Sequence, residues 1–450
     1  MIRIFFSILI FFGGVAMASA LPKYETATLD NGLEIVAVKL KQNSVATVDV
    51  FYKVGSRDEI MGKSGIAHML EHLNFKSTKN LKAGEFDEVV KGFGGVNNAS
   101  TGFDYTHYYI NCASQNVEKS MELFSELMQN LSLKDEEFQP ERDVVAEERR
   151  WRTDNNPMGY LYFNLFNLAF SYHPYHWTPI GFMDDILNWK IEDIKSFHKK
   201  YYQPSNAVLI VAGDIEPKDV FEKAKKHFGA VKGEKIDGKI HTAEPKQDGE
   251  RRATIYKDTN VEMLAIAYKM PNYEHEDIIA LSVISEILSS GKSSRLQKEL
   301  ADKKRLVNSV YGYPMDLKDP WLFIFMAVCN EGVKAESVEK EILKEIEKLK
   351  TKGVSTRELE KVKTNTRADF IFGLESSSHV ADLFGSYIAR GNLCKVSCRS
   401  IDHRIGFTSQ TSHSITPFFV LWLDKSIILE NIVITLLGRK KNTNLYSEKT

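Results

Sequence analysis

The stretch His68-Met69-Leu70-Glu71-His72 contains the residue types of a hydrolytic zinc site. On a helix, His68 and His72 project from one face one turn apart, so a nitrogen from each ring can reach the same ion. Glu71 follows His68 by three residues and borders that face, where its carboxylate can contact a metal-bound water without binding the metal. The alternative interpretation is a chance match at three positions.

The flanking residues predict the helix that this motif requires. Ile66, Met69 or Leu70, and Leu73 form an apolar stripe opposite the two histidines. Ser64 is the candidate residue for capping the start of the helix. A catalytic zinc site usually has three protein ligands and one open position for water, so a third ligand is needed.

The best candidate for that ligand lies in a second predicted helix, with Pro140 in its first turn. Glu141, Val144, Val145 and Glu148 then share one face, an apolar strip with a carboxylate at each end. This pattern favours a helix that packs inward and delivers acids to a buried site. The alternative is a charged, solvated helix with Glu–Arg pairs on its surface.

The order His-x-x-Glu-His is that of the inverzincins, and the chain resembles the M16 (pitrilysin-like) zinc metallopeptidases. Within them it is most similar to the processing-peptidase-like M16B branch, catalytic subunit type. Glu148 and Glu141 stand where that family has its third ligand and a further acid. The resemblance covers about residues 24–391, and further matching segments lie at residues 54–59, 94–101, 104–108, 173–175, 180–181 and 206–214.

The resemblance implies the role of each site residue. His68, His72 and Glu148 would bind Zn²⁺, Glu71 would act as the general base, and Glu141 would orient a ligand from behind. It also implies that Asn98 and Ala99 are substrate-binding residues on a sheet-edge strand, to which an extended peptide adds as one more strand. Taken alone, that segment is equally well interpreted as a turn after Gly94 and Gly95.

An internal repeat predicts two homologous domains. The helices at residues 121–148 have a counterpart that begins at residue 341. The helix with the His-x-x-Glu-His motif has a counterpart at residues 279–285. There Leu281, Ile284 and Ser285 replace the three motif side chains. The resemblance implies an α/β (α+β) fold of the LuxS/MPP-like metallohydrolase type, each domain a mostly antiparallel sheet with helices on one face. We expect a catalytic domain at 21–232, a Gly- and Pro-punctuated linker at 233–250, and a non-catalytic repeat at 251–392.

The N-terminus predicts export. Arg3 precedes an apolar run at residues 4–12, and Ala18-Ser19-Ala20 has the small-residue pattern of a signal-peptidase site. Residues 1–20 are therefore interpreted as a signal peptide cleaved after Ala20, which implies a periplasmic or secreted protein. A buried N-terminal helix is the alternative.

Composition excludes some partners. A net charge of −1 argues against nucleic-acid binding. Four cysteines are too few and too scattered for a disulfide framework, although Cys394 and Cys398 are close enough to pair in an oxidising compartment.

Two features depart from the family pattern. Single-chain members carry an Arg and a Tyr seven residues apart that contact substrate, whereas Ala301 and Asn308 occupy those places here. A homologous M16-like subunit is therefore expected to supply this Arg and Tyr, which are called the substrate clamp below. Residues 393–450 form an atypical tail in place of the expected helix and closing strand; a shifted reading frame and true divergence explain it equally well. Charges at Asp424, Lys425 and Glu430 argue against a stable membrane span in the tail.

Two hypotheses on function remain. The first is a zinc endopeptidase acting on extended peptides as the catalytic half of a heterodimer. The second is a weakly active or inactive subunit that holds peptides or has a structural role. The complete set of His68, Glu71, His72 and Glu148 favours the enzyme.

Overall fold

The computed structural model describes residues 21–41, 44–234, 236, 242–391 and 432–439. A first sheet has the strand order β1-β2-β6-β3-β5-β4, and every neighbouring pair is antiparallel except β2 with β6. Its strands are β1 (Tyr24–Thr28), β2 (Glu34–Lys39), β3 (Val45–Tyr52), β4 (Val96–Thr101), β5 (Thr106–Ala113) and β6 (Ala207–Gly213).

Eight helices accompany this sheet within the described part of the first half. In all but the fifth of these eight helices, the apolar side joins one face of the strands in a single buried core, whereas the fifth helix contributes to the core of the second half. They are α1 (Ile66–Asn74), α2 (Glu85–Gly92), α3 (Val117–Asn130), α4 (Asp135–Arg149), α5 (Pro157–Ala169), α6 (Met183–Asn188), α7 (Ile191–Tyr201) and α8 (Pro217–Phe228), with a π-helical turn at Arg150–Asp154.

The second sheet repeats the first without its β1 strand. Its order is β7-β11-β8-β10-β9, and again only one pair, β7 with β11, is parallel. The strands are β7 (Arg251–Lys257), β8 (Met263–Met270), β9 (Val307–Pro314), β10 (Trp321–Cys329) and β11 (Ile432–Arg439). The helices are α9 (Ile278–Leu288), α10 (Ala335–Lys352), α11 (Thr356–Gly373) and α12 (Ser377–Arg390), with a π-helical turn at Gln297–Lys303. The predicted fold class and the internal repeat are confirmed.

The expectation that the tail lacks a closing strand is wrong. Strand β11 lies between β7 and β8, the position that β6 has in the first sheet. Ile434, Leu436 and Leu437 are buried there, so the end of the apolar run at 417–437 contributes to the core. The rest of the tail, including Cys394 and Cys398, and the predicted signal peptide lie outside the described residues. Cys112 and Cys329 are buried and free.

Each sheet is covered on its second face by a helix from the other half. Helix α12 packs on β3 and β6, where Val380 and Phe384 meet Phe51 and Val208. Reciprocally, α5 packs on β8 and β11. The two halves therefore share their cores.

A polar contact joins the halves as well. The carboxylate of Asp319 accepts hydrogen bonds from the Arg57 guanidinium and from His173 Nε2, the latter at 3.0 Å. Burial alone would raise the pKa of Asp319, but these bonds outweigh it and lower the pKa to about 2. The family-like segments containing Arg57 and His173 thus serve the contact between the halves.

The described residues between α8 and β7 contain no helix or strand, and the exact domain boundaries remain a prediction. No helix within the described ranges is both long and apolar enough to span a membrane.

Candidate zinc centre

Helix α1 presents its two histidines as the sequence predicts. Ile66, Met69, Leu70 and Leu73 are all buried in the core of the first half. The rings of His68 and His72 lie on the other face with their centroids 4.8 Å apart. Core packing of the apolar stripe therefore fixes the direction in which both imidazoles point.

The start of α1 differs from the prediction, because Ser64 does not cap it. Its hydroxyl instead donates to Asp185. The cap position is Gly65, at φ +85°, and a Cβ there would lie 2.5 Å from a backbone oxygen, so only glycine fits. The free N–H groups of Gly65 and Ala67 donate to the buried Glu59 carboxylate at 2.8 and 2.9 Å. This role of Glu59 was not predicted.

Helix α4 supplies the acids but begins earlier than predicted. It starts at Asp135, so Pro140 lies inside it. Acidic residues in its first turn suit the positive end of the helix dipole. The predicted apolar strip is half correct: Val145 is fully buried, whereas Val144 is 50% exposed. The carboxylates of Glu141 and Glu148 are mostly buried against α1, so this face is not a solvated one.

The three predicted ligands converge. One oxygen of Glu148, Oε2, lies 3.3 Å from His72 Nε2 and 3.6 Å from His68 Nε2. A tetrahedral zinc ion with bonds of about 2.0–2.1 Å holds its ligand atoms about 3.4 Å apart. These residues therefore match zinc in donor type, number and spacing, and they form the one such group found within the described ranges.

Two of the candidate ligands are held in place from behind. The Nδ1 atom of His72 lies 2.8 Å from Glu141 Oε1, and Lys76 Nζ binds the other oxygen of Glu141 at 2.6 Å. The Nε atom of Arg152 binds Glu148 Oε1 at 2.8 Å, which leaves Oε2 free to face the histidines. Neither Lys76 nor Arg152 was predicted. Arg152 follows Glu148 at the i+4 spacing of a helical ion pair, which the sequence shows, whereas the contact of Lys76 with Glu141 joins segments that are distant in sequence.

The two imidazoles have different electrostatic environments. Burial and the charge on His72 lower the pKa of His68 to about 4, so this ring is neutral at pH 7. Burial also disfavours charge on His72, but hydrogen bonds to Glu141 and Glu148 outweigh it and raise the pKa to about 9. Binding of a divalent cation by both rings must therefore release a proton from His72.

Glu71 lies between the histidines and the edge strand. The hydroxyl of Thr101, the last residue of β4, donates to Glu71 Oε2. Burial raises the pKa of Glu71, an effect that this hydrogen bond opposes. The contact fixes the carboxylate and connects it directly to the strand on which a substrate is expected.

Strand β4 is the edge of the first sheet, so the interpretation of this segment as a turn is wrong. Asn98 is exposed, and Ala99 is partly buried against the core. The backbone N–H of Ala99 donates to the Asn98 side chain at 2.9 Å instead of to a neighbouring strand. An edge with an unpaired backbone is open to another strand.

The positions of the substrate clamp lie in the second half. Ala301 belongs to the π-helical turn Gln297–Lys303, and Asn308 is the second residue of β9. Neither side chain offers a cation or a phenol. Tyr311 and Tyr313 stack on the same strand at 6.2 Å but do not restore the family spacing.

Comparison with known proteins identifies the family of the chain. Residues 34–175 match the family model described as insulinase (peptidase family M16), and residues 188–366 match the model described as the peptidase M16 inactive domain. A zinc protease of Helicobacter pylori, PqqE, is 56% identical over 379 residues, which cover 83% of this chain and 85% of that protein. The chain belongs to peptidase family M16.

Other M16 relatives extend the comparison. An uncharacterized zinc protease of Mycobacterium leprae is 30% identical over 84% of each chain. The crystal structure of a protease from Helicobacter pylori superposes with a TM-score of 0.89 at 51% identity, covering 93% of this chain and all of that one. The periplasmic protease PqqL of Escherichia coli shares the fold, with a TM-score of 0.76 at 19% identity over 94% of this chain and 48% of PqqL. Family and relatives together support a zinc peptidase.

Proposed function

We propose that this chain is a zinc-dependent endopeptidase that hydrolyses extended peptides or unfolded protein segments as the catalytic half of a heterodimer. The observation that carries the proposal is the convergence of His68, His72 and Glu148 at zinc-like spacing, with Glu71 beside them. An arrangement needed only to stabilise the fold would not require an additional half-buried acid next to the two imidazoles.

His68 Nε2, His72 Nε2 and Glu148 Oε2 would hold the metal. A bound Zn²⁺ would act as a Lewis acid and lower the pKa of water toward about 7. Glu141 orients His72 and Arg152 orients Glu148, because each binds the ligand atom that faces away from the centre.

Glu71 is the proposed general base. Because Thr101 occupies Oε2, the other carboxylate oxygen is the one available to take a proton from the attacking water. Glu71 then passes this proton to the leaving amine. Its raised pKa suits both transfers, since a base with a very low pKa would return the proton poorly.

The substrate is proposed to add to β4 as an extended strand. Asn98 and Ala99 lie on this edge, and the Asn98 side chain would have to release the Ala99 N–H for the peptide to bind there. Recognition through the backbone suits peptides of varied sequence but requires them to be extended, which excludes folded segments.

The proposed partner is a homologous M16-like chain. It would provide the Arg and Tyr that Ala301 and Asn308 cannot replace. Donors preorganised at a developing negative charge typically contribute about 10²- to 10³-fold in rate. We therefore expect slow peptide hydrolysis by this chain alone and faster hydrolysis when the partner is present.

A second candidate is a weakly active or inactive subunit that holds peptides or has a structural role. Two observations favour it. The family model that matches residues 188–366 is described as an inactive domain, and Ala301 and Asn308 occupy the positions of the Arg and Tyr.

For either function, we propose that the chain is exported and that its signal peptide is cleaved after Ala20. The periplasmic description of PqqL, a structural neighbour, is consistent with this location.

The test is an assay of an unfolded peptide with the zinc-loaded chain, alone and with a homologous chain that has the Arg and Tyr but no HxxEH motif. Hydrolysis that requires zinc and rises about 10²- to 10³-fold with the partner supports the proposal. Zinc binding without any hydrolysis in either mixture would establish the inactive alternative. Full activity without a partner would refute the heterodimer. A thermal melt of the chain verifies that it is folded.

A further inference from the structure

A cavity of about 800 Å³ lies in the second half, away from the candidate zinc centre. It opens where the end of α10 meets the start of α11, beside α9 and the π-helical turn Gln297–Lys303. None of its lining residues belongs to the zinc centre or to β4. Its volume is in the range of small-molecule sites, about 300–1,000 Å³.

The walls of this cavity are strongly cationic. Three carboxylates line it, those of Glu299, Glu345 and Glu358. Twice as many cationic side chains line it: Arg295, Lys298, Lys348, Lys352, Arg357 and Lys361.

Each carboxylate already has a cationic partner. Arg295 binds both oxygens of Glu358, at 2.7 and 2.9 Å, and the hydrogen bonds lower the pKa of Glu358 to about 2. Glu345 binds Lys348 at 2.5 Å. Glu299 binds Lys303, which does not line the cavity.

Four cations are left over. Lys298, Lys352, Arg357 and Lys361 form no ion pair with any residue that the structure describes. Like charges that converge on one cleft raise the local concentration of anions, and a bound anion would relieve their mutual repulsion. Solvated helices also carry unpaired lysines, but those do not surround a cavity.

The floor of the cavity is apolar. Ile287, Val354 and Val362 line it, and they belong to a small hydrophobic cluster between α9 and α11. A ligand that fills the site would therefore place its charges against the rim and an apolar part against the floor.

We propose that this cavity binds a small organic anion that has at least two negative charges and an apolar group. Phosphate esters and aromatic dicarboxylates share this chemistry. The proposal does not depend on peptidase activity.

The probe is 2-naphthyl phosphate, titrated calorimetrically into the full chain at low salt. Inorganic phosphate lacks the apolar part, and 2-naphthol lacks the charge. We expect each to bind at least about tenfold more weakly than the ester, since each loses one of the two contacts. Naphthalene dicarboxylate tests which anionic group the site prefers. If it binds as tightly as 2-naphthyl phosphate, negative charge alone determines the affinity. If it binds more weakly, the site prefers a phosphate group.

Variants locate the site. Lys298→Gln combined with Lys352→Gln should weaken binding of the ester by at least about tenfold. The matched control combines Lys195→Gln with Lys199→Gln, two exposed lysines on α7, which should change affinity less than about twofold. Arg357→Gln provides a second, independent variant. Equal losses in the cavity and control variants, or no binding of either organic anion at millimolar concentration, would overturn the proposal.

Discussion

Replacement of Glu141 by glutamine tests how the proposed zinc centre is supported. In the structure, one oxygen of Glu141 faces the His72 Nδ1 atom at 2.8 Å, and the other faces the Lys76 ammonium at 2.6 Å. A glutamine side chain of the same shape has a single oxygen for these two donors. One of the two contacts must therefore be lost, and the negative charge behind His72 disappears.

Loss of such a partner typically weakens metal binding about 10- to 100-fold, or about 1.4 to 2.7 kcal/mol. Because Glu141 is mostly buried and serves two donors, we expect Glu141→Gln to fall near the upper end of this range. The full difference in zinc affinity between the native chain and the variant should appear only near pH 9. At pH 7 the proton on His72, whose pKa is raised to about 9, competes with zinc in the native chain. This competition is weaker in the variant, so the two affinities differ less at pH 7.

The assay is competition for zinc against a chelator of known affinity, at pH 7 and pH 9. The matched control is Glu147→Gln on the same helix, because the Glu147 side chain is exposed and its carboxylate pairs with Arg150 at the surface. We expect the control to stay within about twofold of the native affinity. Equal zinc affinities of Glu141→Gln and Glu147→Gln at pH 9 would refute the role assigned to Glu141.

Three further predictions follow from the structure and sequence. His72→Ala and Glu148→Gln should each lose zinc by elemental analysis, and full retention in both would contradict the ligand assignment. Because the pKa of Asp319 is lowered to about 2, its stabilising contribution is complete above about pH 4 and is lost as the pH falls toward 2. The free energy of unfolding should therefore fall by about 1–2 kcal/mol between pH 4 and pH 2. Asp319→Asn should lose this part of the pH dependence in urea unfolding, and an unchanged pH profile would contradict the assignment. N-terminal sequencing of protein exported by a bacterial host should begin at or close to Leu21, whereas an intact Met1 on soluble cytosolic protein would contradict the signal peptide.

Part of the candidate zinc centre could be predicted because helical spacing is local. His68, Glu71 and His72 depend only on the geometry of one helix, and the apolar stripe of α1 showed which face is buried. Glu148 lies 76 residues further on, and spacing alone left a solvated helix equally open. The resemblance to a known family made it the candidate third ligand, and the structure brings it to the two histidines.

The capping of α1 could not be predicted, because its partner comes from a loop. Ser64 is the expected capping residue by type, but tertiary contacts direct its hydroxyl to Asp185 and bring Glu59 to the helix start. Likewise, β11 was missed since a strand of eight residues buried between two others has no polar alternation to reveal it. The contact of Ser64 with Asp185 and the pairing of β11 with β7 and β8 both join segments that are distant in sequence.

Hydrolysis of an unfolded peptide by Glu71→Gln tests the central claim most directly, if it is compared with the native chain at equal zinc occupancy and with the partner chain present. The substitution keeps the shape of the side chain and removes its ability to accept a proton. We predict unchanged zinc content and a rate at least about 100-fold lower than that of the native chain. A variant that binds zinc fully and hydrolyses the peptide at the native rate would contradict the account.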